Sequence, residues 1–284
     1  MISIIKLNMR KNKPLISVVM PAYNAHKYIK SAIESILGQT FRRFELIIIN
    51  DCSTDKTLPI IRSYSKKDSR IKIINNNKRL DIALSLNKGV GIASSNIIAR
   101  MDADDIAFPN RLELQYKLIN SSRNIGVVGA NIEIMDEVEN VIATRSYPTS
   151  SNKLKSCLFR YSPFAHPVVF FRKNMFEKVG GYDPKYSPTE DLDLWFRLGS
   201  KSEFRSINET LLKYRLSVKS SSHSIIRDLE LLVFRIRLDA IVKYGYRPSL
   251  YDLIYNLFQF STLWFTPAKY RIKIYNLLRN KNLI

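Results

Sequence analysis

Glycine is scarce, 9 in 284 residues, so a Gly-rich loop is a poor fit for the main phosphate binder of this chain. Only two cysteines, Cys52 and Cys157, are present. That excludes a disulfide framework and suits a reducing compartment. No run approaches the roughly 18 uninterrupted apolar residues of a spanning helix. The opening MISIIKLNMRKNKP has one brief apolar patch, broken by Lys6, too short for a signal-peptide core. These absences predict a protein made and kept in the cytoplasm, with peripheral contact on the cytoplasmic face of the inner membrane as an open addition. Acidic residues are also few: 25 Asp+Glu against 45 Lys+Arg, a formal charge of +20. Such an excess says nothing about fold but points to polyanionic neighbours: nucleic acid, an anionic membrane or phosphorylated substrates. With 45% apolar and 25% charged residues, a packed globular core is expected, and collagenous or disordered classes are excluded.

The first hundred residues alternate in type. Residues 15–20, 44–49, 71–74 and 97–101 read as short buried strands. Residues 26–37, 58–64 and 82–93 carry apolar side chains at helical spacing. Strand and helix in alternation, with short links, predict an α/β fold with a Rossmann-like, mostly parallel sheet flanked by helices. Right-handed crossovers put the strand C-terminal ends on one edge, where ligands bind in such sheets. Three polar clusters follow strands and so converge there: Pro21–Asn24, Asn50–Asp55 and Asp102–Asp105. Residues 125–147 read as strands of a smaller sheet, and 190–198 as a helix.

Met101-Asp102-Ala103-Asp104-Asp105 is the densest acidic cluster. Carboxylates at i and i+2 leaving a strand end can share a hard divalent cation such as Mg²⁺ or Mn²⁺. The competing reading is an Asp-rich turn before the helix that Pro109 can open. Asp51 can accept from a ribose hydroxyl or a base N–H, whereas Ser53, Thr54 and Asp55 are explained by helix capping. Tyr23 can stack on a planar base, although Pro21–Asn24 taken alone reads as an ordinary turn. Glu190 and Asp191 open a helix, where carboxylates gain from the macrodipole, and one of them can also act as a general base. His166 and His223 stand apart from these clusters; His223 is a further candidate for a metal or diphosphate contact.

PAYNAHKYI, IIINDCSTDKT, LNKGVGIASSNIIARMDADD, PNRLELQ, HPVVFFRK and GYDPKYSPTEDLDLWFRL stand in the order and spacing of family 2 glycosyltransferases of the GT-A fold. The resemblance runs over about residues 15–217 and is greatest to bacterial enzymes of O-antigen and capsule assembly. It implies a GT-A fold with a smaller acceptor-side sheet. It also implies inverting transfer from a nucleotide-diphospho-sugar, commonly UDP-linked, to a glycan hydroxyl. By resemblance, Pro21, Ala22, Tyr23, Asn24 and Asp51 form the nucleoside pocket, Asn87 and Gly89 belong to the loop and helix before the metal strand and contact the nucleotide-sugar, and Arg79 reaches a phosphate. Asp104 becomes the direct ligand of Mn²⁺ or Mg²⁺, Asp102 a ribose or metal contact, and Asp191 the catalytic base beside Glu190. The absence of a Q-x-x-R-W motif separates the chain from processive synthases.

The chain divides into a lead (1–14), a catalytic domain (15–222) and a basic, aromatic-rich helical region (223–284). That region is read either as a cap over the acceptor side or as a contact with an anionic membrane bearing a polyprenyl-diphosphate-linked acceptor. A nucleotidyltransferase of sugar phosphates would need a Gly-rich loop near the first strand. A nucleic-acid binder would explain the charge, but the sequence holds no such motif, so no nucleic-acid partner is expected.

Overall fold

The computed structural model describes residues 13–216 and 223–280. The first half alternates as expected: β1 (Ile16–Ala22), α1 (Ile29–Leu37), β2 (Phe44–Asn50), α2 (Thr57–Ser65), β3 (Ile71–Asn75), α3 (Ile82–Ile92) and β4 (Ile97–Arg100). Every residue of β1, β2 and β4 is buried, as parallel strands covered on both faces require. Helix α1 turns Ile29, Ala32, Ile33 and Ile36 onto the sheet. It starts at Ile29 and not at His26, because residues 24–26 are tied to the next loop. Asn24, Ala25 and His26 donate backbone N–H groups to Ser53, Thr57 and Asp55.

The second half adds β5 (Ile106–Ala107), α4 (Arg111–Ile119), β6 (Ile125–Met135), β7 (Val141–Arg145), α5 (Ser151–Ser156), β8 (Phe170–Arg172), α6 (Lys173–Lys178), α7 (Glu190–Gly199) and β9 (Glu203–Arg215). Three helices follow: α8 (His223–Tyr244), α9 (Leu250–Phe265) and α10 (Ala268–Asn280). The strands form one sheet in the order β3-β2-β1-β4-β8-β6-β9-β5, with β7 beside β6. Strands β3, β2, β1 and β4 are parallel, and pairing is mixed beyond β4. The expected smaller sheet is thus not separate. Strand β8 runs antiparallel to both β4 and β6 and joins the two halves.

The order 3-2-1-4 reverses at β1. The ends of β1 and β4 therefore open side by side at a topological switch point, the place where such sheets bind ligands. Helix α8 shares the main core, since its Ile236 and Ala240 belong to the same buried cluster as β1 and β2.

Candidate active site

Two clefts open along the strand ends, of about 800 Å³ and about 400 Å³. Ile82, Asp102 and Pro188 line both, so they form one groove with a waist at Asp102.

The larger half rests on the loops after β1 and β2. Pro21, Ala22, Tyr23, Asn24, Asp51, Arg79, Asp102 and Asp104 all line it. Asn24 has a left-handed backbone, with φ of +48°, a conformation in which Asn is enriched. It stays there because its Oδ1 accepts from Thr54 N at 2.9 Å and its own N–H donates to Ser53 at 3.1 Å. Asp51 Oδ1 accepts from Asn76 Nδ2 and from Leu80 N, each at 2.8 Å. That fixes the carboxylate and the loop carrying Arg79. The Arg79 guanidinium lies 4.0 Å from the centre of the Tyr23 ring, a cation–π contact that presents both to the groove.

At the waist, carboxylate oxygens of Asp102, Asp104 and Asp105 lie within 4.8 Å of one another. Burial first, and then the neighbouring Asp102 charge, push the Asp104 carboxyl up to about 6 and Asp105 well above its ordinary range. One oxygen of Asp105 is buried with no hydrogen-bond partner among the described residues. Three oxygen donors this close, under mutual repulsion, fit a hard divalent cation.

Basic residues frame the cluster. Arg100, at the end of β4, pairs with Asp102 at 2.5 Å. Arg111 is fully buried and donates to Arg100 O at 2.6 Å, which braces that strand end; burial pulls its guanidinium down to about 9. Arg215, ending β9, donates its backbone N–H to Asp105 and its Nε to Asp104 O, each at 2.8 Å.

The smaller half contains Glu190 and Asp191, which open α7. Glu190 is buried, with Oε2 unpartnered among the described residues. Burial, then the adjacent Asp191, push its carboxyl up to about 7. Burial also raises Asp191, offset in part by the Leu192 N–H and by Arg100. His166 meets Tyr182 Oη at 2.8 Å. Burial and the Arg100 charge hold its imidazole neutral, well below its usual range.

Two sequence candidates do not reach the groove. Asn87 is used structurally: its side chain donates to Tyr182 O at 2.8 Å and accepts from Tyr182 N at 2.9 Å. Gly89 lies under α3, where a Cβ would come within 2.6 Å of Val19 and 2.7 Å of Ile49; it permits close helix–sheet approach. His223 begins α8, and its side chain lies outside the described residues. Residues 217–222 of the serine loop also lie outside them. The site residues that sequence reasoning passed over are Arg100, Arg215 and the aromatic and basic lining of the smaller half. For Arg100 a signal existed: it stands two residues before Asp102 at a strand end.

A family model described as glycosyl transferase family 2 matches residues 17–180. The fold is that of a GT-A glycosyltransferase, and the chain belongs to glycosyl transferase family 2. An O-antigen biosynthesis glycosyltransferase of Escherichia coli, WbnJ, is 34% identical over 232 residues, which cover 78% of this chain and 88% of that protein. S. aureus TarS 1–349 in complex with UDP-GlcNAc superposes with a TM-score of 0.68 at 18% identity, covering 88% of this chain and 73% of that one. A mannosyltransferase of Pyrobaculum calidifontis in complex with GDP-Man and Mn²⁺ gives 0.60 at 16% identity, covering 89% and 71%.

Proposed function

We propose that the chain transfers a sugar, with inversion, from a UDP-linked donor to a hydroxyl of a lipid-linked glycan in surface-polysaccharide assembly. One observation carries this reading: a nucleotide-sized cleft and a smaller cleft meet at Asp102, with the acid pair Glu190/Asp191 on the far side. The larger half takes the nucleotide, with Tyr23 against the base, Asp51 at the ribose or base, and Arg79 toward the diphosphate. Asp104, with Asp102, holds the divalent cation, Mn²⁺ or Mg²⁺, which when bound neutralises charge on the departing diphosphate. Asp191 takes the proton from the acceptor hydroxyl as its oxygen attacks the anomeric carbon from the face opposite the leaving group. The preference for UDP rests on the sequence resemblance; the O-antigen relative supports the class of product.

Helix α9 supports a membrane surface as partner. Its polar residues face inward: Asn256 donates to Phe159 O at 2.8 Å, and Arg237 donates to both Asn256 and Gln259. Its apolar residues face out at helical spacing, with Leu257 and Phe258 each 70% exposed and Phe265 87% exposed. A helix with its apolar stripe outward on a strongly basic chain fits the interface of an anionic bilayer. Among the described residues no helix is long and apolar enough to cross a membrane. Vesicles with and without anionic lipid test the contact: Phe258→Ser with Phe265→Ser should abolish co-sedimentation, and unchanged binding would refute it.

The test of the whole reading is a panel of UDP-, dTDP- and GDP-sugars, followed by binding and slow hydrolysis with and without Mn²⁺. Metal-dependent turnover of one UDP-sugar, lost in Asp104→Ala, is expected. Turnover of a GDP- or dTDP-sugar alone would correct the nucleotide, and binding of none by folded protein would overturn the reading.

A further inference from the structure

Arg279, in the last turn of α10, is the group in the smaller cleft for which the donor chemistry has no use. It is 3% exposed, and its Nη2 has no hydrogen-bond partner among the described residues. The guanidinium is held by rings: it lies 4.0 Å from the centre of Tyr161 and 5.0 Å from that of Tyr147. Cation–π contacts recover part of the cost of burying a charge but leave the Nη2 donors unsatisfied. A buried cation with no acidic partner among the described residues is expensive unless an anion joins it. Arg279 also lines the cleft that Glu190 and Asp191 line, together with Arg145, Tyr147 and Tyr275. The cleft therefore holds an acid pair together with basic and aromatic groups.

We propose that Arg279 binds an oxyanion of the acceptor, a phosphate or a carboxylate, and so fixes which acceptor hydroxyl meets Glu190 and Asp191. The planar guanidinium fork matches two oxygens of either group. The flanking tyrosines keep the fork in plane and exclude competing water. A substrate bearing both a hydroxyl and a nearby anion then has one favourable orientation. The orientation follows because its anion is repelled from Glu190/Asp191 and attracted to Arg279. This rests on the glycosyltransferase reading for the word acceptor but not for the binding event.

The test uses the full chain in EDTA without nucleotide, so that it stands apart from sugar transfer. Glucose 1-phosphate, glucuronate and glucose are titrated by calorimetry or by NMR. Binding of one or both anions but not of glucose is expected, weakened at least about tenfold in Arg279→Gln and partly restored in Arg279→Lys. Preference for glucose 1-phosphate assigns a phosphate-bearing acceptor, and preference for glucuronate an acidic sugar. Circular dichroism and melting confirm that each variant is folded, and the lysine variant keeps the charge if glutamine unsettles the packing. The proposal fails if wild type binds neither anion, if glucose binds equally well, or if Arg79→Gln and not Arg279→Gln removes binding. Failure of the transferase reading would show separately, as no donor turnover by wild type.

Discussion

The two halves of the groove are built by different rules. The larger half, the donor side of the proposed function, hangs mainly on strand ends of a parallel sheet: the loops after β1, β2 and β3 and the turn after β4 supply most of its polar groups, and Glu137 and Ser187 join them from the second half of the chain. Most of these groups come from short segments that the order 3-2-1-4 brings together. The smaller half, the acceptor side of the proposed function, shares Ile82, Asp102 and Pro188 with the larger one and adds Arg100, Ile132, Arg145, Tyr147, residues between Ser162 and Pro167, Glu190, Asp191, Tyr214, Tyr275 and Arg279. Most of those come from the second half of the chain: β6, the end of β7, the segment before β8, the start of α7, the end of β9 and α10. On the proposed assignment, one architecture can hold its donor side constant while its acceptor side is rebuilt from many separate segments. The division predicts that damage to each half should appear in different kinetic constants.

The largest effect belongs to Asp191. Replacing it with Asn keeps the shape and removes the proposed base, so kcat for transfer should fall by roughly 10²–10⁴-fold. Donor affinity, measured by calorimetry with UDP-sugar and Mn²⁺, should hold, because Asp191 lines only the smaller half. Equal loss of donor binding would break the comparison between the halves.

Glu190 comes next and reads out in stability. Its folded carboxyl lies at about 7, through burial and then through Asp191, against an unfolded value near 4.3. Between those two values the folded state holds the proton and the unfolded state has lost it. Stability from this group is therefore complete below the unfolded value, declines as pH rises, and is gone above about 7. The full difference is on the order of 3 kcal/mol. The groups acting on it are Asp191 and Asp81, which raise it, and Arg100, which lowers it. Melting of Glu190→Gln against wild type from pH 5 to 8 should show the variant gaining relative stability as pH rises; a constant gap would remove the assignment.

The donor half was largely legible because its residues sit in contiguous motifs. Asp51, Asp102 and Asp104 stand out at strand ends, whereas Pro21–Asn24, an ordinary turn by itself, is marked by the family resemblance; all line the groove. Asn87 and Gly89 show the limit of that approach: they lie in the right motif but serve packing, which spacing cannot distinguish from binding. Strand β9 escaped the sequence reading because its register on β6 shifts between Ala130 and Ile132, where residues 208–211 bulge and break the alternation. Without β9, Arg215 had no visible route to Asp104 and Asp105. Arg279 lies 88 residues beyond Asp191, and no local pattern links them.

Gly89→Ala tests the packing side of the donor half. The new Cβ would press on Val19 and Ile49, and overpacking of this kind costs typically 1–3 kcal/mol. Chemical denaturation should show the loss. Donor Kd should weaken only as far as β1 and β2 shift, not as if a ligand contact were removed. Full stability with weakened donor binding would return Gly89 to the pocket.

The smallest effect tests how the acceptor wall is supported. Ser249 and Asp252 form a capping box at the start of α9: Asp252 N donates to Ser249 Oγ at 3.1 Å, and Ser249 N to Asp252 Oδ2 at 3.0 Å. Asp252 also pairs with Arg160 at 3.1 Å, next to Tyr161, on which Arg279 stacks. Ser249→Ala removes one cap, about 1 kcal/mol, which for a chain of this size is a drop of about 2–4 °C in Tm. Because α9 leads into α10, the same change should raise acceptor KM slightly and leave donor Kd where it was. If donor binding moved as much as acceptor binding, the C-terminal helices would be bracing the whole sheet. The separation of the two halves would then be one of chain origin only, with no counterpart in energy.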